Sequence, residues 1–282
     1  GIVSRALEGK VALITGSGRS GGMGQATALR LAEAGAHVVI TDLARDRPEL
    51  RQDQTHGLGD DLVAMQVFAA EVERLHGGRC LAMALDVTDQ AQAELVVETT
   101  VAELGSLDIV FNNAGATTGV GLFVDQTEQQ WELSWQVNAM GTRRMTLLAI
   151  PIMAAQGGGV IINNISVGGI VADAGYGAYS ATKFAVSAIT KTVAKEHGGD
   201  GIRCVGVCPG VIDTGMAVAN RRLVAELEGV TDEQAWDLMV DSIPSGRAGE
   251  ADDVARLVTF LASPAADFIN GALIPIDGAM TP

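Results

Sequence analysis

The feature that most constrains the fold is a short apolar run that leads through a glycine-rich turn into a helical pattern. The run Val11-Ala-Leu-Ile-Thr15 precedes Gly16-Ser-Gly-Arg-Ser-Gly-Gly-Met-Gly24, and a helical pattern occupies residues 25–34. Glycines let backbone approach a pyrophosphate, and the following helix N-terminus supplies N–H groups and a positive dipole. A flexible Gly/Ser linker is the alternative, which the position between strand and helix disfavours. We therefore predict a dinucleotide site whose turn contributes Gly16, Ser17, Arg19, Gly22, Met23 and Gly24.

Strand-like apolar runs alternate with helical patterns along most of the chain. After the first run they occupy residues 37–41, 79–85, 107–111, 160–165, 203–207 and 272–276. Such alternation indicates a parallel sheet with right-handed crossovers. A chain of 282 residues is long enough for one such domain. We therefore predict a single α/β domain over residues 1–282, a doubly wound parallel sheet of about seven strands with helices on both faces.

Composition restricts the partners and the compartment. The chain has 34 acidic and 19 basic residues, a net charge of −15, which opposes nucleic acid or anionic membrane as a partner. Cys80, Cys204 and Cys208 form no C-x-x-C pair, which favours free thiols in a reducing compartment, and the four scattered histidines suggest no metal site. No apolar stretch approaches about 18 residues and the first residues lack a signal-peptide core, so we expect a cytoplasmic protein.

Acidic residues end the second and third strand-like runs. The carboxylate of Asp42 at such a position binds both ribose hydroxyls of an adenosine and repels a 2′-phosphate, which favours NAD over NADP. A solvated strand-end carboxylate is the alternative, and Arg19 and Arg45 argue for the phosphate. Asp86, followed by Val87, either accepts a hydrogen bond from an adenine amino group or caps the helix at residues 90–104.

Two stretches depart from the simple alternation. Residues 43–78 form a long crossover, whose polar part (44–60) predicts an exposed loop before a helix at 61–75. Residues 214–246 contain apolar side chains among charged ones, and we interpret an insertion at about 214–247 as a lid over the substrate. The alternative is a surface helical hairpin. The apolar residues concerned are Met216, Leu223, Trp236 and Met239.

Two further turns follow strand-like runs. In Asn112-Asn113-Ala114-Gly115, small residues and side-chain amides suit packing against a flat nucleotide, although asparagine also simply favours turns. A rigid turn leaves the sixth run at Cys208-Pro209-Gly210-Val211-Ile212-Asp213-Thr214. The cofactor-binding residues that we expect in these turns are Asn113, Ala114, Gly115, Pro209, Gly210, Ile212 and Thr214.

The candidate catalytic residues lie in the second half of the chain. Tyr179 and Lys183 are four residues apart in a helical run, so they stand on one helix face, and a neighbouring ammonium lowers the pKa of a phenol from about 10. That makes Tyr179 a candidate acid/base. Ser166 ends a strand-like run and can hold a carbonyl oxygen. Asn138, inside a helical region at 128–155, needs a partner because an unsatisfied buried amide is costly. The alternative for Tyr179 and Lys183 is an ordinary exposed helix pair.

Together these motifs resemble the short-chain dehydrogenase/reductase family over about residues 10–278. The glycine turn resembles its T-G-x-x-x-G-x-G loop, and residues 112–115 are similar to its N-N-A-G motif. Its catalytic tetrad is matched by Asn138, Ser166, Tyr179 and Lys183. The chain departs from the family pattern in two segments, both expected around the adenosine and the pyrophosphate. The glycine turn has five residues between Gly16 and Gly22 where the family pattern has three, and the crossover at 43–78 is longer.

The resemblance implies a Rossmann-like fold and reversible hydride transfer between NAD(H) and a secondary alcohol or ketone. Ser166 would polarise the substrate oxygen and Tyr179 would transfer the proton. Lys183 would lower the tyrosine pKa and bind the nicotinamide ribose, with Tyr179 and Lys183 both counted among the cofactor contacts. Asn138 would fix a water, and Thr214 would lie near the carboxamide.

The family resemblance and two apolar-rich helices at 128–155 and 179–196 also predict a homotetramer. The alternatives are an NADPH-preferring carbonyl or 3-oxoacyl reductase and a non-catalytic nucleotide-binding scaffold. A sugar-nucleotide epimerase would need a larger C-terminal domain. The substrate stays open: the apolar residues at 214–246 favour a neutral ligand, whereas Arg221 and Arg222 favour an anionic one.

Overall fold

The apolar runs form the strands of one parallel sheet in the structure, a computed structural model that describes residues 5–44 and 62–282. Within these residues the sheet has seven strands in the order β3-β2-β1-β4-β5-β6-β7. They are β1 (Val11–Ile14), β2 (His37–Asp42), β3 (Cys80–Ala84), β4 (Ile109–Asn112), β5 (Gly159–Asn164), β6 (Ile202–Pro209) and β7 (Leu273–Ile276). The order reverses between β1 and β4, and open α/β sheets bind ligands in the crevice at such a point. The predicted doubly wound sheet is confirmed.

Helices connect the strands and cover both faces of the sheet. They are α1 (Met23–Glu33), α2 (Leu62–His76), α3 (Gln90–Leu104), α4 (Glu128–Ser134), α5 (Gly141–Gln156), α6 (Gly177–His197), α7 (Ala217–Glu228), α8 (Asp232–Asp241) and α9 (Ala251–Ala262). Helix α3 has the predicted bounds. Arg45 and most of the predicted polar loop at 44–60 lie outside the described residues. Within the described part of the chain, no helix is long and apolar enough to cross a membrane.

Successive residues of each strand enter different cores, because side chains alternate between the two faces of a sheet. Ile14 of β1 packs in a core that includes Leu31 of α1 and Val258 of α9. Its neighbour Leu13 packs on the opposite face, in a core that includes Met145 of α5. All five side chains are fully or almost fully buried, and burying each contributes roughly 1.5–3 kcal/mol. The two cores hold the carboxyl ends of the strands in fixed register.

The helical region predicted at residues 128–155 is not one regular α-helix. A π-helical segment (Trp135–Met140) separates α4 from α5, and Asn138 lies inside it. The N-terminus of α5 is packed tightly, since a Cβ at Gly141 would lie 2.7 Å from Cγ2 of Val87. Single π turns within α-helices occur frequently at functional sites. The sequence pattern missed this segment because its apolar periodicity barely differs from that of an α-helix.

The segment predicted as a lid folds into α7 and α8. Helix α8 begins with a capping box, in which the Thr231 hydroxyl accepts from Gln234 N and the Gln234 side chain accepts from Thr231 N. Leu223 of α7 and Met239 of α8 are buried. The two helices therefore pack with their apolar residues inward.

Candidate active site

A cavity of about 470 Å³ opens beside the carboxyl ends of β5 and β6. Its wall includes Ser166, Tyr179 and Lys183, which the sequence analysis proposed as catalytic. Asn138 is fully buried behind this wall. The predicted cofactor residues that also line the cavity are Met23, Asn113, Gly115, Pro209, Gly210, Ile212 and Thr214. The fold thus brings residues from five separate segments to one place.

Ser166 has an unusual backbone conformation. It lies just beyond β5 with φ 75° and ψ 155°, a region that only glycine occupies readily. Its hydroxyl accepts from Gly168 N at 3.2 Å, which caps the 3-10 turn Val167–Gly169. That turn packs directly on α6, since a Cβ at Gly169 would lie 2.8 Å from the carbonyl oxygen of Lys183. Close packing therefore holds Ser166 in its strained conformation at the cavity wall.

The state of Tyr179 differs from the sequence prediction. Burial raises the pKa of its phenol above the ordinary value of 10, and the hydrogen bond with Ser166 partly opposes this shift. The predicted lowering of this pKa is therefore wrong. Burial in low dielectric disfavours the phenolate.

Lys183 is anchored to the sheet. Its Nζ donates to the carbonyl oxygen of Asn164 at 2.9 Å and lies 5.6 Å from the centroid of the Tyr179 ring. Burial lowers the pKa of the ammonium to about 8. The two residues thus stand one helical turn apart, as predicted, but burial shifts each toward its neutral form.

Asn138 has the partners that its burial requires. Its Oδ1 accepts from Ala116 N at 2.8 Å, and its Nδ2 donates to Ala116 O at 3.0 Å. The same amide contacts Thr182 Oγ1 at 3.2 Å and Ser134 Oγ at 3.3 Å. The π-helical segment, α6 and the backbone after β4 are therefore joined by one side chain. Water binding by Asn138 stays a prediction.

The glycine turn has the shape of a nucleotide cradle. A Cβ at Gly16 would lie 2.6 Å from Cα of Ala114, and one at Gly24 would lie 2.6 Å from Cα of Ser17. Gly22 is the N-cap of α1 and has no side chain to cap its N–H groups. Arg19 O accepts from Gly22 N at 3.2 Å and closes the turn. Uncapped N–H groups at a helix N-terminus suit a pyrophosphate, so these residues fit a dinucleotide.

Two residues of the predicted adenosine site bond within the protein. The Ser17 hydroxyl donates to Ile14 O at 2.9 Å and accepts from Thr41 N at 2.9 Å, so Ser17 ties β1 to β2 and its hydroxyl is already used. Asp42 ends β2, as predicted. Its carboxylate accepts from Gly18 N at 2.8 Å, and a Cβ at Gly18 would lie 2.7 Å from the Asp42 Cβ. The carboxylate therefore lies directly against the glycine turn.

The turn after β3 settles one alternative. Asp89 is the N-cap of α3 and accepts from Gln92 N at 3.1 Å, so the expectation that Asp86 caps this helix is wrong. The Asp86 carboxylate accepts from Thr88 N and Oγ1 instead. Val87 is almost fully buried and packs on Gly141. An adenine contact by this turn stays a prediction.

Thr15 and Asn164 have roles that the sequence analysis missed. Thr15 Oγ1 accepts from Asn113 N at 3.0 Å and from Ala114 N at 2.9 Å. The Asn113 amide donates to Gly16 O and accepts from Asn164 Nδ2, both at 2.9 Å. This chain of bonds fixes the glycine turn to the end of β5. The only sequence signal was their position, a polar residue at the end of a buried strand.

The far wall of the cavity comes from α7, α8 and the residue before α7. Met216, Leu223 and Met239 line it, whereas Trp236 is not part of the wall. Arg221 and Arg222 do not line it either, and Arg221 Nε lies 4.0 Å from Asp232. In residues 5–44 and 62–282, Lys183 is the single cationic side chain of the wall.

The cysteines are buried free thiols, as predicted. Cys204 and Cys208 lie in β6, and burial raises the pKa of each thiol to about 12. No cluster of three or more His, Cys, Asp or Glu side chains suited to a metal ion occurs in the described residues.

The sheet, its switch point and the glycine cradle define an α/β dinucleotide-binding protein. Residues 55–281 match the family model described as enoyl-(acyl carrier protein) reductase. The 3-oxoacyl-(acyl-carrier-protein) reductase FabG of Thermotoga maritima is 34% identical over 274 residues, 97% of this chain and 98% of the relative. Meso-2,3-butanediol dehydrogenase of Serratia marcescens is 33% identical over 275 residues, 98% of this chain and 96% of the relative.

A crystal structure of NAD⁺-bound xylitol dehydrogenase is similar over its whole length. Its TM-score is 0.84 at 26% sequence identity, covering 97% of this chain and 99% of that chain. With these relatives, the chain belongs to the short-chain dehydrogenase/reductase family and is an oxidoreductase that acts on CH–OH groups.

Proposed function

We propose that this protein is an NAD(H)-dependent dehydrogenase/reductase for neutral secondary alcohols and the corresponding ketones. The observation that carries the proposal is the shared cavity: Ser166, Tyr179 and Lys183 line one side, and apolar residues of α7 and α8 line the other. A hydroxyl, a phenol and an ammonium in one pocket supply the groups that proton transfer to or from a carbonyl oxygen requires.

Each polar residue of the cavity has a distinct task in this proposal. Ser166 holds and polarises the substrate oxygen, and Tyr179 takes the alcohol proton during oxidation and returns it during reduction. Lys183 binds the nicotinamide ribose and opposes negative charge that develops at Tyr179. When bound, the nicotinamide cofactor accepts or supplies the hydride. Asn138 holds Ala116 and Thr182 in place and fixes a water behind Lys183.

Asp42 is the basis for proposing NAD rather than NADP. Its carboxylate lies 2.8 Å from Gly18 N in the glycine turn, where an adenosine ribose would lie. A 2′-phosphate at that position would place like charges close together, at a cost on the order of a few kcal/mol. The cradle residues Gly16, Gly22, Met23 and Gly24 would hold the pyrophosphate.

The charges around the cavity support a neutral substrate. Lys183 is already bonded to Asn164 O, and among the described residues of the wall no second cation accompanies it. Asp173 adds a negative charge to the same wall. An acyl thioester with an anionic phosphopantetheine arm would approach a chain of net charge −15 without a basic partner in the cavity. We therefore place 3-oxoacyl reductase second among the candidate functions.

Helices α7 and α8 act as the lid in this proposal. They contribute Leu223, Leu227 and Met239 to the wall opposite Ser166. Closing such a wall excludes water from the reacting atoms.

We further propose that the protein assembles as a homotetramer through α5 and α6. Leu147 of α5 is 50% exposed and Phe184 of α6 is 44% exposed, and Trp135 of the π-helical segment is 43% exposed. Large apolar side chains exposed on neighbouring elements are typical of subunit contacts. The three free, buried cysteines support a cytoplasmic location.

A substrate panel tests the proposed function. Purified protein is assayed with NAD and NADP on cyclohexanol, butan-2-ol, the matching ketones with the reduced cofactors, and acetoacetyl-CoA with the reduced cofactors, by the absorbance of the reduced nicotinamide. We expect turnover of the neutral alcohols and ketones with NAD(H) and at least tenfold lower kcat/KM for the thioester. Turnover of the thioester alone would contradict the neutral-substrate proposal.

A further inference from the structure

Several polar side chains of the cavity wall have no task in the proposed reaction, and the inference concerns two of them. One is Tyr176, whose ring packs edge-on against Tyr179 with the centroids 6.3 Å apart. The other is Asn220 of α7, which lines the same cavity. Both belong to segments that are specific to the substrate end of the cavity rather than to the nucleotide cradle.

Tyr176 presents a free hydrogen-bonding group to the cavity. Within the described residues, its hydroxyl makes no hydrogen bond to another side chain or to backbone. Burial raises the pKa of this phenol, with smaller contributions from Tyr179 and Asp173, so the hydroxyl stays a neutral donor. A neutral donor in a largely apolar wall favours a ligand atom that accepts a hydrogen bond from it.

Helix α7, which carries Asn220, packs against the loop before α6, which carries Tyr176. Leu223 is one helical turn beyond Asn220 and therefore on the same face of α7. A Cβ at Gly175, the residue before Tyr176, would lie 2.6 Å from Cδ2 of Leu223. The loop and the helix are thus in direct contact at this point. The Asn220 amide also has no hydrogen bond in the described part of the chain.

Much of the remaining wall is apolar. The apolar part is formed by Val171, Met216, Leu223, Val224, Leu227 and Met239. Uncommitted hydrogen-bonding groups in a largely apolar wall fix the orientation of a ligand that carries a matching polar atom. Asp173 in the same wall and the lack of a further cation among its described residues disfavour a carboxylate or phosphate there.

We propose that the substrate carries a second neutral oxygen on the carbon next to the reacting carbon, and that Tyr176 and Asn220 bind this oxygen. The substrate class is then vicinal diols and the corresponding hydroxyketones rather than simple secondary alcohols. This inference rests on the proposed function, because the first oxygen is taken to lie at Ser166 and Tyr179. Tyr176 and Asn220 are specificity-determining residues and take no part in proton transfer.

Two matched substrate pairs test the inference: cyclohexanol against cyclohexane-1,2-diol, and butan-2-ol against butane-2,3-diol. We expect wild type to prefer each diol by about tenfold or more in kcat/KM. Tyr176→Phe removes one hydroxyl and should lower kcat/KM for the diols by about fivefold to tenfold, mainly through KM, which corresponds to one neutral hydrogen bond. Its effect on the simple alcohols should be under twofold. Asn220→Leu should act in the same way.

Val224→Ala is the control, since it changes the apolar wall and should affect alcohol and diol equally. Equal kcat/KM of wild type for alcohol and diol would overturn the inference and leave the proposed function standing. Equal losses on both substrates in Tyr176→Phe and Asn220→Leu would have the same consequence. Absence of turnover of all four compounds with either cofactor would contradict the proposed function itself.

Discussion

Lys183 is bonded to Asn164, with its ammonium 2.9 Å from the carbonyl oxygen that ends β5. This bond holds the cation at the sheet edge, 5.6 Å from the centre of the Tyr179 ring. Burial lowers the pKa of Lys183 to about 8 and raises the pKa of Tyr179. Both shifts come from removing charged forms from water, and such shifts concentrate at functional sites. The site therefore holds the charged form of Lys183 at a cost in folding stability, whereas Tyr179, neutral below its raised pKa, adds no such cost near neutral pH.

Replacement of Lys183 should reveal that cost as a function of pH. The folded-state pKa of about 8 lies below the ordinary 10.5, so the unfolded chain binds more protons between these values. The buried ammonium consequently reduces the free energy of unfolding of wild type by its full amount below pH 8. This reduction disappears as the pH rises to 10.5. Lys183→Met removes this penalty. The free energy of unfolding of the variant minus that of wild type should therefore be larger at pH 7 than at pH 10, by about 2 kcal/mol.

Urea unfolding at the two pH values measures this difference. Lys191→Met, at an exposed lysine on the same helix, controls for the loss of one positive charge. A stability difference between Lys183→Met and wild type that does not change with pH would show that Lys183 is not held in the way described.

Ser166 should show a trade-off between stability and activity. Its φ of 75° and ψ of 155° suit only glycine, so Ser166→Gly should relieve strain and stabilise the fold by about 1 kcal/mol relative to Ser166→Ala. Both variants lack the hydroxyl, so both should lose about 100-fold or more in kcat. Chemical denaturation and steady-state kinetics on the two variants provide the comparison. Equal stability of the glycine and alanine variants would refute the strain.

The sequence predicted the layout of the fold more fully than the details of the site. Strand and helix patterns located all seven strands, because buried parallel strands are continuous apolar runs and their helices are amphipathic. The spacing of Ser166, Tyr179 and Lys183 predicted one shared site, and the three residues line one cavity. Apolar periodicity was enough for the strands, whereas the three site residues were predicted from their spacing and from the family resemblance.

Long-range packing determined what the sequence did not indicate. Asn138 in the π-helical segment accepts a hydrogen bond from Ala116 N, more than 20 residues away. Asn164 donates to Asn113, about 50 residues away. The pKa of Tyr179 was predicted in the wrong direction because a spacing of four residues shows the neighbouring cation and not the burial. Tyr176 carried no motif and gained its interest only from its place in the cavity.

Cofactor preference should depend on Asp42. Asp42→Asn keeps an oxygen that can accept from Gly18 N and removes the negative charge. We expect wild type to prefer NAD by about 100-fold in kcat/KM, and the variant to lose at least tenfold of that preference. Asp42→Ala should shift the ratio likewise, with an added loss of stability of the glycine turn. A wild-type preference for NADP, or a ratio that neither variant moves, would contradict the assignment of Asp42.

The subunit contact should depend on α5 and α6. A double variant, Leu147→Glu with Phe184→Glu, should convert the tetramer into smaller species because it places charges in an apolar interface. Leu95→Glu, at an exposed leucine of α3, is the matched control and should leave the assembly unchanged. Sedimentation velocity at micromolar concentration distinguishes these cases. A monomeric wild type would refute the proposal.

The most direct test of the central claim is the turnover of Tyr179→Phe. This change removes only the phenolic hydroxyl, and the edge-on contact with Tyr176 keeps its aromatic partner. We expect kcat to fall by at least 100-fold, within the range that general acid–base catalysis supplies. The melting temperature should stay close to that of wild type, and the Kd for NAD should stay within about twofold. Tyr176→Phe, three residues earlier, is the control and should keep kcat on simple alcohols. Retention of more than about a tenth of wild-type kcat by Tyr179→Phe would contradict the account.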